Sequence, residues 1–528
     1  MTKDYDIACT ELAELVIKNE ENFHLDKAKK KISAKYGLST LPKNSDIISK
    51  LPKKDDAVIR RIQRKPVRTI SGVAVVACMT SPAECPHGRC LMCPGGPKST
   101  FCSPQSYVGA EPAALRGIQL DYDPYAQVTT RLNQLEQIGH NVDKAELIVM
   151  GGTITSRPVF YQEWFVKRCL DAMNSYGGDM NLKSSSIAQA QKVNESVRIR
   201  NVGITFETRP DYTGKEHVDE MLKIGVTKVE LGVQHICDEV LDGIDRGHKR
   251  YEIIEANRIL RDSSLKVGFH MMPGLPHSNF DEDLKMFKEL FSNPDFKPDY
   301  LKIYPTLVTE GTRLYDIWKK GEYMPLSNEE GAELVARIKS ILPTWVRLQR
   351  VQRDIPARFI IDGVNKSNLR QLARVKLEEM GGKCRCIRCR EVGYAHLDGN
   401  EPKDIELSVK KYEACGGVEH FLSYEDLEGD ILIGFSRLRF PKSPHRPELD
   451  GASLIRDLHV YGPMMQLDTK RDYGWQHRGY GKMLLHDAEE ISSNEGFKKI
   501  VIISGIGVRE YYRRLGYTKD GPFMSKML

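Results

Sequence analysis

The chain has 528 residues, 28% of them charged, with a formal net charge of +6, which is enough for more than one domain, each with its own core. No apolar run reaches the length needed to cross a bilayer, and the opening Met1-Thr-Lys-Asp-Tyr-Asp has no signal-peptide profile, so a soluble cytoplasmic protein with no membrane partner is expected. The 12 cysteines cluster at Cys85, Cys90, Cys93 and at Cys384, Cys386, Cys389 instead of spreading as a disulfide framework would, which favours a reducing compartment and bound metal.

In chain order, Ile7, Leu12, Leu15 and Val16 recur at helix spacing, so residues 6–36 read as helical up to Gly37. Leu41-Pro42 and Leu51-Pro52 then break the pattern, as in an extended or loosely packed arm. Between Lys27 and Arg68, 14 Lys and Arg stand against Asp46, Asp55 and Asp56, so the rest of the chain is mildly acidic. A basic segment on such a body suggests a polyanionic partner, most often nucleic acid; a solvated basic tail is the plain alternative. Without interleaved aromatics it argues for phosphate contact and no more.

From Ser71 the texture changes to short apolar runs separated by helical stretches. They are Val73–Ala77, Leu147–Met150, Val202–Phe206, Val229–Val233, Val267–His270, Tyr300–Tyr304 and Val346–Gln349. Strands alternating with helices imply parallel βαβ units and a full or partial barrel, whose reacting groups sit at the C-terminal strand ends. The loop Cys85-Pro-His-Gly-Arg-Cys90-Leu-Met-Cys93-Pro-Gly-Gly leaves the first strand there. Three thiolates on one loop suit a [4Fe–4S] cluster with one iron left free to chelate S-adenosylmethionine and deliver an electron, yielding a 5′-deoxyadenosyl radical. A zinc site completed by Cys78, Cys102 or His87, or a Cys90–Cys93 redox dithiol, remains open on spacing alone. Gly151 and Gly152 end the second strand and would let backbone approach the methionine moiety. Glu207-Thr-Arg-Pro-Asp211, Glu230–Gln234 and His270-Met-Met-Pro end the next three, forming a cofactor-binding rim.

Past the barrel, Cys384-Arg-Cys386-Ile-Arg-Cys389 suits tetrahedral zinc with a fourth ligand from elsewhere, His396 or Cys415 with equal weight; a free-cysteine or redox cluster is the alternative. From about Glu406 the pattern becomes antiparallel, with long strands over 429–440 and 452–461. Gln476-His-Arg-Gly479-Tyr480-Gly481, an amphipathic helix, the strand Lys499–Ile503 and a helix carrying Tyr511 and Tyr512 follow. Glycines opening a helix after a strand leave N–H groups free for a pyrophosphate, the arrangement expected of a GNAT-type, acetyl-CoA-binding acetyltransferase fold.

Together the cysteine loop, Gln105-Ser-Tyr107, Tyr122-Asp-Pro-Tyr125, Met150-Gly-Gly-Thr153, Cys384–Gly393 and Gln476–Gly481 resemble the catalytic subunit of Elongator, and the chain looks like a stand-alone archaeal-type member. The resemblance implies an α/β protein. A basic tRNA-binding extension (1–70) would precede a radical SAM partial (β/α) barrel (71–365), a zinc-binding linker (366–405) and a GNAT acetyltransferase-like domain (406–528). It implies carboxymethylation of carbon 5 of the tRNA wobble uridine: the deoxyadenosyl radical takes hydrogen from the methyl of acetyl-CoA, the carbon radical adds to uridine, and thioester hydrolysis releases CoA. Carried across by position, the acetyl-CoA contacts fall on Lys144, Arg456, Asp457, Leu458, His459, Gly479, Tyr480, Gly481 and Tyr511, with Tyr511 and Tyr512 expected to be catalytic. Partners would be the tRNA anticodon stem-loop and an electron donor; a homodimer is compatible with it. Cys85 and Cys90 stand closer in sequence than in eukaryotic members, which bears on the loop's conformation and not on its ligands. Arg347, Arg350, Arg353 and Arg358 are further candidates for phosphates. The rivals are a protein lysine acetyltransferase, with Glu425, Asp457 or Asp468 as general base, and a non-catalytic tRNA-binding subunit.

Overall fold

The computed structural model describes residues 3–18, 23–51, 56–63, 66–178, 183–462 and 478–528. The N-terminal segment departs from the extended arm its prolines suggest. Helices Lys3–Lys18, Leu25–Lys35, Asn44–Ile48 and Asp56–Ile62 close around a small core of Ala8, Leu12, Val16, Ile32, Ile47, Val58 and Ile62. Pro42 stands just before helix Asn44–Ile48, Pro52 lies outside the described residues, and the apolar residues of the segment are few but converge.

The apolar runs after Ser71 become seven parallel strands, β1 (Ala74–Met79), β2 (Lys144–Met150), β3 (Arg200–Thr208), β4 (Lys228–Gln234), β5 (Lys266–Met271), β6 (Tyr300–Ile303) and β7 (Arg347–Arg350). They pair in sequence order from β1 to β7 without closing, so this is a partial barrel with two free edges. Helix Leu369–Glu379 packs on Asn328–Ser340 and puts Leu369, Ala373 and Leu377 into the barrel core. The linker therefore begins near residue 380 and not at 366, because the apolar face of this helix needs the barrel to cover it.

The C-terminal domain is a second seven-stranded sheet: β8 (Ile405–Ala414), β9 (Gly417–Asp426), β10 (Ile431–Phe440), β11 (Ala452–Val460), β12 (Lys499–Ile502), β13 (Thr518–Asp520) and β14 (Phe523–Met527), ordered β8-β9-β10-β11-β12-β14-β13. Only β11 and β12 pair in parallel, and their pairing stops at Ile455 and Ile502. Beyond that point the strands part, and main-chain groups on that side of β11 become available to a ligand.

The two domains are locked by buried charge. A bulge in β11 between its partners Arg437 and Leu438 leaves Arg456 as the extra residue, which re-aims its side chain. The Arg456 guanidinium forks onto Asp299, just before β6, with both contacts at 2.8 Å, and onto Glu419 of β9 at 2.8 Å. Arg261 reaches Glu419 at 3.0 Å and Arg439 reaches Asp262 at 2.6 Å. Every side chain in this set is 1% exposed or less. Burial alone would raise the Asp299 carboxyl, but the guanidinium groups of Arg261, Arg456 and Arg437 outweigh it and hold it well below the usual carboxylate range.

Asp299→Asn leaves the arginines uncompensated and should lower stability by about 3–5 kcal/mol at neutral pH, read by urea denaturation. Because the folded carboxyl titrates lower than the unfolded one, this contribution is present above about pH 4 and is lost as pH falls through the folded value. A variant with unchanged stability at neutral pH would contradict the assignment.

Candidate functional site

The cysteine loop runs from the end of β1 across the C-terminal mouth of the barrel. Cys90 and Cys93 are buried and Cys85 is half-buried. Among the described residues, Cys384, Cys386 and Cys389 bring their sulfurs within 4.8 Å of one another, whereas Cys85, Cys90 and Cys93 form no such tight group. Sulfurs on one tetrahedral zinc stand about 3.8 Å apart at Zn–S bonds of about 2.3 Å. The second loop therefore has the compactness a single ion needs, and the first is more open.

The alternatives for a zinc ligand at the first loop fall away. Cys78 lies on the outer face of β1, its sulfur turned to the Pro124 carbonyl. Cys102 is exposed and turned to the Ser99 carbonyl. His87 accepts from the Arg209 guanidinium at Nδ1, so its proton sits on Nε2, which points at Cys90 Sγ from 3.1 Å. It donates to the sulfur and is no metal ligand. Burial, then Arg209 and Arg246, push its pKa down to about 3. Arg246 adds a second donor to Cys90 Sγ at 3.4 Å, and Cys93 Sγ lies 3.1 Å from the Gln105 side-chain amide. Burial raises the thiols of Cys85 and Cys93, a cost that ligation to iron would remove.

Gly151 and Gly152 follow β2 with φ of +125° and +105°, and a Cβ would meet Thr80 Oγ1 at 2.2 Å and Gln105 Cβ at 2.9 Å respectively. What closes on these glycines is the chain itself, Thr80 after β1 and Gln105, so a side chain at either position would clash there. Below them the lumen is charged where parallel strands usually bury aliphatic side chains. Lys302 lies 3.2 Å from Glu207 and pairs with Glu230; Lys228 lies 3.5 Å from Glu230 and 2.8 Å from Glu146. Burial would lower the Lys302 ammonium, but Glu230 holds it up. Glu207, Glu230 and His270 approach within 4.8 Å, but the Lys302 ammonium pairs with both carboxylates and Lys228 with Glu230, so the group is already supplied with cations. Of this column the sequence reading had only Glu207, Glu230 and His270. Lys302 and Lys228 were readable as charges at every second position of otherwise apolar strands.

In the C-terminal domain Gly479 opens helix Tyr480–Asn494 at φ +89°. A Cβ on Gly481 would stand 3.0 Å from the Tyr511 hydroxyl, so these two expected contacts meet. Tyr480 packs against Tyr424 with ring centroids 5.4 Å apart and planes tilted by 54°. Tyr512 is 5% exposed, packed in the core between Tyr511 and Tyr517, so its catalytic expectation is not supported and passes to Tyr511. The Arg456 side chain is likewise spent on Asp299 and Glu419, leaving only its main chain for a ligand. Leu458 packs against the domain core, and His459 donates from Nε2 to the Ser71 carbonyl, 2.9 Å away at the foot of β1. Lys144 opens β2 beside Arg200 of β3. A Cβ on Gly507 of the C-terminal domain would meet Arg200 Cβ at 2.4 Å, which puts Lys144 at the domain junction. Gln476 and Asp468 lie outside the described residues.

The remaining candidates divide. Arg347 is committed to Glu391 at 2.6 Å and Tyr461 at 2.8 Å, so it holds the junction and does not face phosphate, whereas Arg350, Arg353 and Arg358 stay at the surface. Neither proposed fourth zinc ligand reaches Cys384, Cys386 and Cys389. His396 is exposed and bonded to Glu401, and Cys415, in the two-residue β8–β9 turn, points at the Asp295 carbonyl. For the acetyltransferase reading, Glu425 is buried against Arg390 and Asp457 accepts from the Tyr300 hydroxyl at 2.6 Å, so neither is free as a base.

Comparison with known proteins agrees with this layout. The model of the radical SAM superfamily matches residues 83–290, its C-terminal domain 298–379, and the ELP3 N-terminal domain 5–70. The chain is 52% identical to tRNA uridine(34) acetyltransferase of Methanocaldococcus jannaschii, covering 92% of this chain and 90% of that protein. It is 44% identical to Elongator complex protein 3 of Homo sapiens, covering 96% and 94%. The solved structure of Methanocaldococcus infernus Elp3 lacking residues 1–46 superposes with a TM-score of 0.77 at 49% identity, covering 87% of this chain and all of that one.

Burial and the same arginines push His248 down to about 2. With both histidines depressed, the metal-free protein should lose stability as pH falls from about 6.5 toward about 3, since the unfolded chain takes up protons the folded one refuses. Ring NMR titrations checking this should show both signals unshifted above pH 4; midpoints near 6.5 would contradict the His87–Arg209 geometry.

Proposed function

This chain belongs to the Elongator complex protein 3 family, and from that premise we propose that it modifies tRNA at uridine 34, placing the two-carbon unit of acetyl-CoA on carbon 5 as a carboxymethyl group. The observation that carries the reading is the meeting, in one chain, of a wide three-cysteine loop at the barrel mouth and a glycine-opened helix on the domain locked beneath it. Cys85, Cys90 and Cys93 would hold a [4Fe–4S] cluster, which with S-adenosylmethionine and an electron from a donor supplies hydrogen-atom abstraction.

The chain's own residues divide the remaining work. Gly151 and Gly152 would present bare backbone at the end of β2 to the methionine moiety. Gly479 and Gly481 offer helix-terminal N–H groups to the CoA pyrophosphate, and the parted strands beyond Ile455 offer main-chain groups to its arm. Lys144 and His459 sit where the thioester would cross the domain junction, with Tyr511 beside Gly481. The buried cluster of Arg261, Arg456, Asp299 and Glu419 fixes the distance between the two sites. An anticodon-loop uridine is single-stranded and enters a pocket at modest unstacking cost. Cys384, Cys386 and Cys389 would hold one zinc ion that stiffens the linker, its fourth position filled by a ligand outside the candidate pair.

Anaerobic incubation of reconstituted protein with tRNA, S-adenosylmethionine, a reductant and acetyl-CoA labelled on the methyl carbon should put label into carboxymethyluridine, and Cys90→Ala should abolish it. Label on protein lysines alone would overturn the reading. Metal analysis should find one zinc per wild-type chain and none in Cys386→Ser; retained zinc would remove the linker assignment.

A further inference from the structure

The unclosed barrel leaves a slot between the edges of β1 and β7, and guanidinium groups line both sides. On β1, Arg116 of helix Pro112–Gln119 donates to the Ala77 carbonyl, which no neighbouring strand covers. On β7, Arg370 donates to the carbonyls of Leu348 at 3.2 Å and Gln349 at 3.0 Å. These arginines do for the free edges what a closing strand would do, at the cost of concentrating positive charge. Arg116 is 8% exposed, and its Nε has no partner among the described residues.

Two more cations join Arg116 along one continuous cavity of about 1030 Å³, which also contains the cysteine loop. They are Arg131 of helix Pro124–Gln137 and Arg68, the last residue of the turn that ends the basic N-terminal unit. Neither has a hydrogen-bond or ion-pair partner among the described residues, and Arg350 on the opposite wall is neutralised by Asp354 at 2.7 Å. Burial, then the like charges of Arg116 and Arg68, lower Arg131 to about 10. Three guanidinium groups on one cavity wall, Arg68 and Arg131 with no carboxylate paired to them among the described residues, form a site suited to an anion.

We infer that Arg68, Arg116 and Arg131 bind a phosphodiester of the RNA strand that carries the target nucleotide, so that the strand enters sideways through the slot while its base turns into the lumen. The inference rests on the proposed tRNA reading. A polyanion fits better than a single phosphate because cations line both walls and because Arg68 continues the basic N-terminal unit into the slot. The CoA phosphates are the other source of the same chemistry.

Arg131 makes no contact the fold needs, so Arg131→Ala tests the assignment without the strand-capping role of Arg116. Binding of a fluorescent anticodon stem-loop RNA to the full-length protein is followed by anisotropy across a salt series, with CoA binding followed by calorimetry. The expected result is RNA affinity weakened several-fold at low salt and a slope of log Kd against log salt reduced by about 0.7, the value of one single-strand phosphate contact. Arg131→Lys should keep most of the slope, and CoA affinity should not change. Unchanged RNA affinity and slope in Arg131→Ala would overturn the inference alone. Lost CoA affinity with intact RNA binding would give the arginines to CoA instead. Failure of the wild type to bind RNA would overturn the tRNA reading and this inference with it.

Discussion

The contact on which the rest of the structure depends is the fork of Arg456 onto Asp299 and Glu419. A bulge in one strand turns a guanidinium out of its own sheet and into the floor of the barrel. Around it Arg261, Arg437, Arg439 and Asp262 share a volume closed to water, and the loss of one partner leaves charge that nothing else can solvate. Such a junction has one geometry or none. That suits a protein whose two cofactor sites serve one product, since a hinge here would separate the thioester from the radical.

The same floor explains the charged lumen. Tyr300 leaves β6 to donate to Asp457 of the C-terminal domain, and Lys228 lies over the Tyr300 ring at 5.0 Å before pairing with Glu146. Alternating charges then climb through Glu230 and Lys302 to Glu207 beneath the cysteine loop. An aliphatic lumen would have filled the barrel, as it does in closed ones. Here the polar column meets the slot, whose edge-capping arginines are the price of leaving the barrel open.

What could be read from the sequence was what is local. The seven apolar runs, both cysteine loops and the glycines flanking Tyr480 lie within a few residues of the features they specify, and the structure has strands, loops and a helix start there. What could not be read depends on partners far along the chain. Arg456 is a ligand contact only by family resemblance, and its partner Asp299, 157 residues away, is out of reach of any local pattern. Tyr512 looked like the equal of Tyr511 because helix phase alone does not say which neighbour is buried. His396 and Cys415 were both near enough in sequence to complete a zinc site, and only the β8–β9 hairpin shows that Cys415 belongs to the far end of the sheet. In the N-terminal segment Pro42 breaks the pattern before helix Asn44–Ile48, but the small core is closed by apolar residues from four separate helices, which local pattern does not show.

The central claim is that the barrel mouth and the C-terminal domain act on one acetyl-CoA. Its most direct test is mass spectrometry of the 5′-deoxyadenosine formed when reconstituted enzyme, tRNA and S-adenosylmethionine are reduced with acetyl-CoA deuterated on its methyl group. The account predicts deuterium in the 5′-deoxyadenosine, with none when the acetyl-CoA is unlabelled. Deuterium-free 5′-deoxyadenosine alongside a modified uridine would mean that the hydrogen comes from elsewhere, and the coupling of the two domains would have to be abandoned.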